Sequence, residues 1–105
     1  MRVFKTQEEV DAALDGDRNL IIHDVIRFEC DVKIAGNIDA VDIVAGNIDA
    51  VDIDANDISY YAFCNVYENI NCYSISGRRE NHAEPVCLDG KLTIRKTKKP
   101  KKAKG

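Results

Sequence analysis

Apolar residues in the middle of the chain recur every five positions. Five isoleucines and one phenylalanine keep this spacing: Ile38, Ile43, Ile48, Ile53, Ile58 and Phe63. A period of five matches neither the 3.6 residues of an α-helix turn nor the period of 2 of an ordinary strand. It predicts a β-solenoid, in which the chain turns a corner every five residues. The isoleucine is expected to point inward, together with the small or β-branched residue two positions before it.

The repeat is long enough to identify its unit. Residues 35–43 recur without change as residues 45–53, and the regular repeats extend over about 36–65. Each unit has a small residue, then Asn or Asp, then Ile, then two further polar or small positions, and in this it resembles the pentapeptide-repeat family. The matching units are Gly36–Ala40, Val41–Ala45, Gly46–Ala50, Val51–Ala55 and Asn56–Tyr60, with Tyr61–Asn65 as a degenerate sixth. The resemblance implies a right-handed, four-sided β-helix with four units in each coil.

A short helix is predicted ahead of the repeat. Thr6 and Glu9 have the spacing of a capping box, in which the Thr6 hydroxyl accepts from the Glu9 amide and the Glu9 side chain reaches back. Three apolar residues then fall on one helical face: Val10, Ala13 and Leu14. Gly16 follows as a left-handed C-cap, so the helix is expected at about 7–15 and should cover one end of the solenoid.

Strands and loops are predicted around the repeat from the local pattern. Alternating apolar and polar residues indicate a half-buried strand at 26–34, with a shorter strand at 20–22 before it. After the repeat, an irregular apolar rhythm over 70–75 predicts a further coil with uneven corners. The polar segment 78–84 is expected to be a surface loop.

The end of the chain leaves two interpretations open. Asp89-Gly90 separates the apolar runs 86–88 and 92–94, and it is either a hairpin turn or one more solenoid corner. The solenoid domain is expected to span 1–95. Residues 96–105 are rich in lysine with almost no apolar residue, and this composition predicts a disordered tail.

Charge is divided unevenly along the chain. Residues 1–90 hold all 18 acidic residues and 7 of the 15 basic ones, a net charge of -11, whereas residues 91–105 hold 8 basic residues and no acidic one. No basic residue lies between Lys33 and Arg78, where the repeat is. Six aspartates flank the inward isoleucines and are expected to face solvent in rows: Asp39, Asp42, Asp49, Asp52, Asp54 and Asp57.

Catalytic and metal-binding motifs are missing from the sequence. There is no phosphate-binding loop, no Ser or Cys beside a histidine and an acid, and no Cys-x-x-Cys pair, so we expect no enzyme activity and no cofactor. The spacing of the four cysteines is not that of a zinc site, and without an export leader they are expected to be reduced residues of the core: Cys30, Cys64, Cys72 and Cys87. No apolar run approaches the roughly 20 residues of a membrane-spanning helix. The sequence therefore predicts a soluble protein of the cytoplasm of a bacterial host.

Two roles are open for the rows of aspartate. An acidic surface keeps a strand-rich protein from pairing edge to edge. It also suits nucleic-acid mimicry. Duplex DNA carries one negative charge per roughly 1.7 Å of axis, and six aspartates in a coil of about 20 residues that rises roughly 4.8 Å would match or exceed that density. Some pentapeptide-repeat proteins are DNA mimics that occupy DNA sites on gyrase, and that resemblance favours an inhibitor of a nucleic-acid-handling protein.

Other features narrow the choice of partner. The layout of capped helix, strand, repeat and closing Cys-Leu-Asp-Gly segment also resembles small uncharacterised phage and prophage proteins, and no activity is carried over from that resemblance. Phage proteins of this size frequently block host nucleases by mimicry, which makes a host defence complex such as a CRISPR effector the expected target. Tyr60 and Tyr61 are candidate aromatic contacts, with a core plug as the alternative. The competing hypothesis is a self-assembling protein whose coil ends stack or whose Lys-rich tail contacts the acidic body of another copy. Direct binding of nucleic acid is expected only weakly, through the tail, because the acidic body repels phosphates.

Overall fold

Parallel strands wind into a β-solenoid in the computed structural model, which describes residues 1–97. One short helix, α1 (Gln7–Ala12), lies near the start of this part of the chain. The strands are β1 Arg2–Phe4, β2 Leu20–Phe28, β3 Val32–Lys33, β4 Asn37–Val44, β5 Ile48–Ala50, β6 Asp52–Asp54, β7 Asp57–Tyr60, β8 Cys64–Val66, β9 Ile70–Cys72, β10 Ser74–Gly77, β11 Val86–Cys87 and β12 Leu92–Ile94. They stack in about four turns, so the mainly β solenoid fold is confirmed. Its right-handed winding stays a prediction, supported by the strong preference of parallel crossovers for that hand.

The regular coils contain 15 residues. Ile38 pairs in register with Ile53, and Ile43 pairs with Ile58. Each regular coil therefore holds three five-residue units and has three sides, not the four sides that the family resemblance implies. The coils before and after the repeat are longer, because extra residues are inserted at their corners.

The strands divide among three sides of the solenoid. The first side is formed by the beginnings of β2 and β4 with β6, β9 and β12, and the second by β1, the ends of β2 and β4, β7 and β10. Because β2 and β4 run through the corner between them, these two sides form one sheet. The third side is a separate sheet of β3, β5, β8 and β11.

Two residues of each unit point inward. The isoleucines continue into columns, and the column of the first side is Leu20, Ile38, Ile53, Ile70 and Leu92. The second inward residue is the alanine two positions after the isoleucine, and each is at most 4% exposed: Ala40, Ala45, Ala50 and Ala55. The expectation that the residue two positions before the isoleucine is the interior one is wrong for Val41 and Val51, which are only half-buried at corners.

The five-residue period slips by one after Ile58. Cys64, and not Phe63, stacks on Ile48, and Phe63 remains 39% exposed. The amides of Ala62 and Phe63 both donate to the Asn47 side-chain oxygen, over 2.9 and 3.1 Å. This corner therefore accommodates one extra residue by using a single side chain to bind two successive amides.

Close stacking at the corners explains the Gly and Asn positions of the repeat. A Cβ atom on Gly36 would collide with the carbonyl of Arg18 in the preceding coil. Next to it, the Asn19 side-chain oxygen accepts from the Asn37 amide over 2.9 Å. The other two corners carry the same contact, from the Asn47 amide to Asp31 over 2.9 Å and from the Asp57 amide to Asp42 over 3.0 Å. Asn and Asp at these places thus join one coil to the next.

Helix α1 is shorter than the sequence predicts. The Thr6 hydroxyl accepts from the Glu9 amide over 3.2 Å, as expected, but the Glu9 carboxylate accepts from the amide before Thr6 rather than from Thr6 itself. The helix ends at Ala12, with Ala13 as a right-handed C-cap. Gly16 lies beyond this end and does not cap the helix.

The N-terminal end of the solenoid is closed, as the sequence predicts. Val10 of α1 and Phe4 of β1 are 0% and 2% exposed where they cover the first coil. The Gln7 side chain donates to the Lys33 carbonyl over 2.8 Å and accepts from the Lys33 amide over 2.9 Å. The Gln7 amide thereby takes the place of a further strand along the edge of β3.

The last coil resolves the alternative left open by Asp89-Gly90. Strands β11 and β12 do not pair with each other; β11 lies on β8 and β12 on β9. Asp89-Gly90 is therefore a solenoid corner and not a hairpin turn. Residues 78–85 contain no strand, in agreement with a predicted surface loop. The predicted disordered tail lies, apart from Lys96 and Thr97, outside the described residues.

Candidate acidic interface

Five of the six predicted aspartates lie on the first side and its two bordering corners. Asp39 stacks in register with Asp54, and Asp42 stacks with Asp57. Asp39 and Asp54 alternate with buried residues along their strands, so they face outward. Asp52 completes the group at the other corner. We call this group the acidic face: Asp39, Asp42, Asp52, Asp54 and Asp57.

One basic side chain reaches the acidic face from the last coil. Arg95 is only 14% exposed, and its guanidinium lies 3.4 Å from the carboxylate of Asp54. It also donates to the side-chain oxygens of Asn71 and Asn56 over 2.6 and 2.7 Å. Sequence reasoning missed this contact, because Arg95 is distant in the chain and no local pattern indicates that it folds back.

The corner aspartates have a structural role as well as a charge. Asp42 accepts from the amide of Asp57, and Asp57 in turn accepts from the Ser74 hydroxyl over 2.8 Å. These bonds join three successive coils at one corner. An asparagine oxygen makes the same contact at other corners, so the negative charge at Asp42 and Asp57 is not needed for the stacking.

Asp52 is the aspartate of the acidic face whose charged form is disfavoured by its surroundings. Burial raises its pKa above the ordinary value, and the nearby charges of Glu68 and Asp54 raise it further, against the opposing effect of the Ile53 amide. Glu68 was not among the predicted site residues, because it falls outside the regular units. The structure places it beside the acidic face and so extends the negative surface.

Asp49 is separate from the other predicted site residues. It lies on β5, in the third side, and pairs in register with Lys33 of β3 and Asn65 of β8. Its side chain is exposed. Asp49 therefore belongs to a different surface, where a lysine is its neighbour along the solenoid axis.

The two candidate tyrosines have different environments. Tyr60 is 1% exposed, and its hydroxyl donates to the Ala83 carbonyl over 2.7 Å, so it is a core plug and not a contact surface. Tyr61 is 48% exposed. Tyr67 is 54% exposed and lies beside Leu88 of the following coil, which is 71% exposed. The sequence gives no sign that Tyr67 and Leu88 lie together, because the corner they occupy is outside the regular repeat.

The cysteines are free thiols, and two of them are interior. Burial raises the pKa of Cys64 to about 12 and of Cys72 to about 11. Cys30 and Cys87 are half-buried. Within residues 1–97, no three His, Cys, Asp or Glu side chains are grouped so that they could hold a metal ion.

Comparison of the chain with protein-family models, with curated protein sequences and with solved structures gave no match. The pentapeptide-repeat likeness is therefore a resemblance of the repeat units alone. In the part of the chain that the structure describes, no helix has the length and apolar character needed to cross a membrane.

Proposed function

We propose that this protein is a non-enzymatic inhibitor that uses the acidic face to occupy a phosphate-binding site on a nucleic-acid-handling protein. The observation that carries the proposal is the gathering of five aspartates along the first side of the solenoid and its two bordering corners. Host defence complexes such as CRISPR effectors are the class of target we propose, because they hold nucleic acid in basic grooves.

The charge density of the acidic face supports mimicry. The two regular coils place two and three aspartates on this side, and each coil rises roughly 4.8 Å. Counted as carboxylates, this is about one per 2 Å, close to the one charge per roughly 1.7 Å of duplex DNA. Arg95 offsets the charge of Asp54, and Glu68 adds a further negative charge beside Asp52. A surface built only to keep the protein in solution does not require the charges to be on one side.

The length of the acidic face limits the kind of site it can fill. Its regular part covers two coils, which is roughly 10 Å along the axis. That length corresponds to about three base pairs, so the proposed target site is a local cluster of lysines or arginines that grips a few phosphates. Occupation of a groove the length of a long duplex is not proposed for a single copy.

The test is affinity capture from a bacterial lysate, with and without nuclease treatment, using three immobilised forms of the protein. The forms are the wild type, a five-site variant in which every residue of the acidic face is changed to asparagine, and Asp49→Asn as the matched control. Asparagine keeps the corner hydrogen bonds, so the five-site variant should fold, which circular dichroism and thermal unfolding will check. Removal of residues 96–105 is a further control.

The proposal expects a partner that the wild type, the Asp49→Asn protein and the tail deletion retain and that the five-site variant loses. The same partner should be displaced by a duplex oligonucleotide and by rising salt concentration, because the contact is electrostatic. Retention by the five-site variant, or binding that resists half-molar salt, contradicts charge mimicry.

A further inference from the structure

A cleft crosses the corner between the second and third sides of the solenoid. It lies where four strands of the second side end, β2, β4, β7 and β10, and its volume is about 540 Å³. We call it the corner cleft, and its lining includes Arg27, Val44, Gly46, Tyr61 and Arg78. Because the solenoid has three sides, this corner is opposite the first side, which carries the acidic face. The volume falls within the roughly 300–1,000 Å³ of small-molecule sites.

Two arginines approach the corner cleft from one column of outward positions. Arg27 of β2 pairs in register with Val44 of β4, and Val44 pairs with Ser59 of β7. The Arg78 guanidinium donates to the Ser59 hydroxyl over 2.9 Å. The Arg27 backbone and the Arg78 guanidinium are therefore about two strand spacings apart, or roughly 10 Å. The length of the Arg27 side chain covers most of that distance, so one small anion can contact both guanidinium groups.

The two arginines differ in how they are held. Arg78 also donates to the Ser59 carbonyl over 3.0 Å and to the Ala45 carbonyl over 2.6 Å, which fixes its guanidinium over earlier coils. Arg27 is 56% exposed, and its Nε atom lies 3.6 Å from the Glu29 carboxylate, which is longer than a hydrogen bond. Arg78 is therefore preorganised for a ligand, and Arg27 can turn toward one at little cost.

Tyr61 supplies a flat apolar surface beside these cations. Its amide donates to the Gly46 carbonyl over 3.0 Å, and its carbonyl accepts from the Arg79 amide over 2.9 Å, so its backbone is fixed to the coil on either side. The side chain is nevertheless 48% exposed. The sequence marks Tyr61 as a candidate aromatic contact, and the acidic face makes no use of it. Its position at the corner cleft makes the exposed ring available for stacking on a ligand.

The residues of the corner cleft select the chemistry of a ligand. The Tyr61 ring and the half-buried Val44 suit a planar apolar group. Two guanidinium groups from different coils suit a phosphate monoester, because it carries nearly two negative charges and three acceptor oxygens, whereas a carboxylate pairs with one guanidinium. Glu29 and Asp31 line the same cleft, and residues 1–90 have a net charge of -11, so a nucleic-acid chain is repelled more than a single phosphate.

We propose that the corner cleft binds an aromatic phosphate monoester of the size of a nucleoside monophosphate, with its ring on Tyr61 and its phosphate between Arg27 and Arg78. The inference does not rest on the acidic face, and binding changes no covalent bond. Since the ring and the phosphate use different contacts, a nucleoside without phosphate and inorganic phosphate alone should each bind much more weakly. Because the phosphate contact is electrostatic, raising the salt concentration should weaken binding.

The test is isothermal titration calorimetry of the full-length protein, with adenosine 5′-monophosphate, adenosine and inorganic phosphate as separate probes. Arg27→Gln removes one cation and Tyr61→Leu removes the ring, and both residues are exposed, so both variants should fold. Arg18→Gln and Tyr67→Leu are the matched controls, since they make the same changes at exposed positions away from the cleft. We expect each cleft variant to raise the dissociation constant of the monophosphate at least about fivefold, and the controls to leave it unchanged.

Amide chemical shifts of the wild type locate the bound monophosphate without any variant, and the largest changes are expected at Gly46 and Tyr61. The proposal is overturned by a wild type that binds no monophosphate at millimolar concentration, or by an affinity that both cleft variants retain. It is also overturned if adenosine or inorganic phosphate alone binds as tightly as the monophosphate, because the ring and the phosphate are then not held together. Loss of binding on removal of residues 98–105 indicates attraction of the anion by the basic tail instead, and contradicts the cleft as the site.

Discussion

The corners and the sides of the solenoid use the same residue types for different purposes. At a corner, Asn47 accepts hydrogen bonds from two amides of the next coil. On a side, Asn65 lies between the buried Cys64 and Val66 and points outward. The same contrast separates Asp42, whose oxygen binds the next coil, from the exposed Asp49.

This difference shows which positions the fold requires and which are available for a partner. A corner needs a short side chain with an oxygen that reaches the next coil, and both Asp and Asn satisfy that need. A side needs only that alternate residues be apolar. The repeated Asp of the sides, and the choice of Asp over Asn at corners, are therefore the part of the sequence that folding does not explain.

The largest effect on stability is expected from a substitution at an inward position, compared with a substitution at the outward position next to it on the same side. Ile48→Asp buries a charge without a partner inside the solenoid, which should cost several kcal/mol and unfold so small a domain. Asp49→Ser, at the next residue, should change stability by less than about 0.5 kcal/mol. Thermal and urea unfolding measure both. Equal small losses would contradict the inward assignment of the isoleucines.

A moderate effect is expected when an asparagine at a corner is changed to alanine. The same change on a side should have little effect. Asn47→Ala leaves the amides of Ala62 and Phe63 without their acceptor and should lower the free energy of unfolding by about 1–3 kcal/mol. Asn65→Ala is the matched control and should have little effect. If the two variants unfold at the same urea concentration, the corner hydrogen bonds do not stabilise the stacking.

The smallest effect concerns the charge of a corner residue. Asp52 stacks between Asn37 and Asn69, so Asp52→Asn makes the three corners of this column alike. Burial and the neighbouring carboxylates disfavour the charged form of Asp52 in the folded protein, and this raises its pKa. The charge therefore lowers stability at neutral pH, and the penalty disappears as the pH falls and Asp52 becomes protonated.

Asp52→Asn should accordingly raise the melting temperature slightly at neutral pH and have no effect at a pH below the ordinary range of an aspartate. Melting curves of the two proteins across this pH range provide the measurement. A gain in stability that grows on acidification has the wrong sign and contradicts the raised pKa that burial, with the charges of Glu68 and Asp54, gives Asp52.

The sequence by itself determined the solenoid and its inward isoleucines. A five-residue period has no other common explanation, and it is visible because every regular unit meets the same local requirement of a corner followed by two buried positions. The closing helix was also predictable, from the capping pair Thr6 and Glu9 and an apolar face. Its end was not, because no Gly is needed where the chain simply leaves the helix at Ala13.

The long-range contacts of the last coil were decided only in three dimensions. Arg95 and Arg78 bind atoms of earlier coils, and no pattern of neighbouring residues reports such a contact. The slip at Phe63 has the same origin. Whether a corner holds one residue more depends on whether a side chain of the coil below, here Asn47, can bind the additional amide.

The acidic face depends on the length of a coil. A five-residue period does not determine that length, because coils of three units and coils of four units both have this period. With 15 residues in a coil, Asp39 stacks on Asp54 and Asp42 on Asp57, and their charges gather on one side. With four units in a coil, Asp39 would instead stack on Ser59, and the aspartates would spread over more sides. The number of units in a coil is set by how tightly the inward isoleucines and alanines pack across the interior, and that packing exists only in the folded chain.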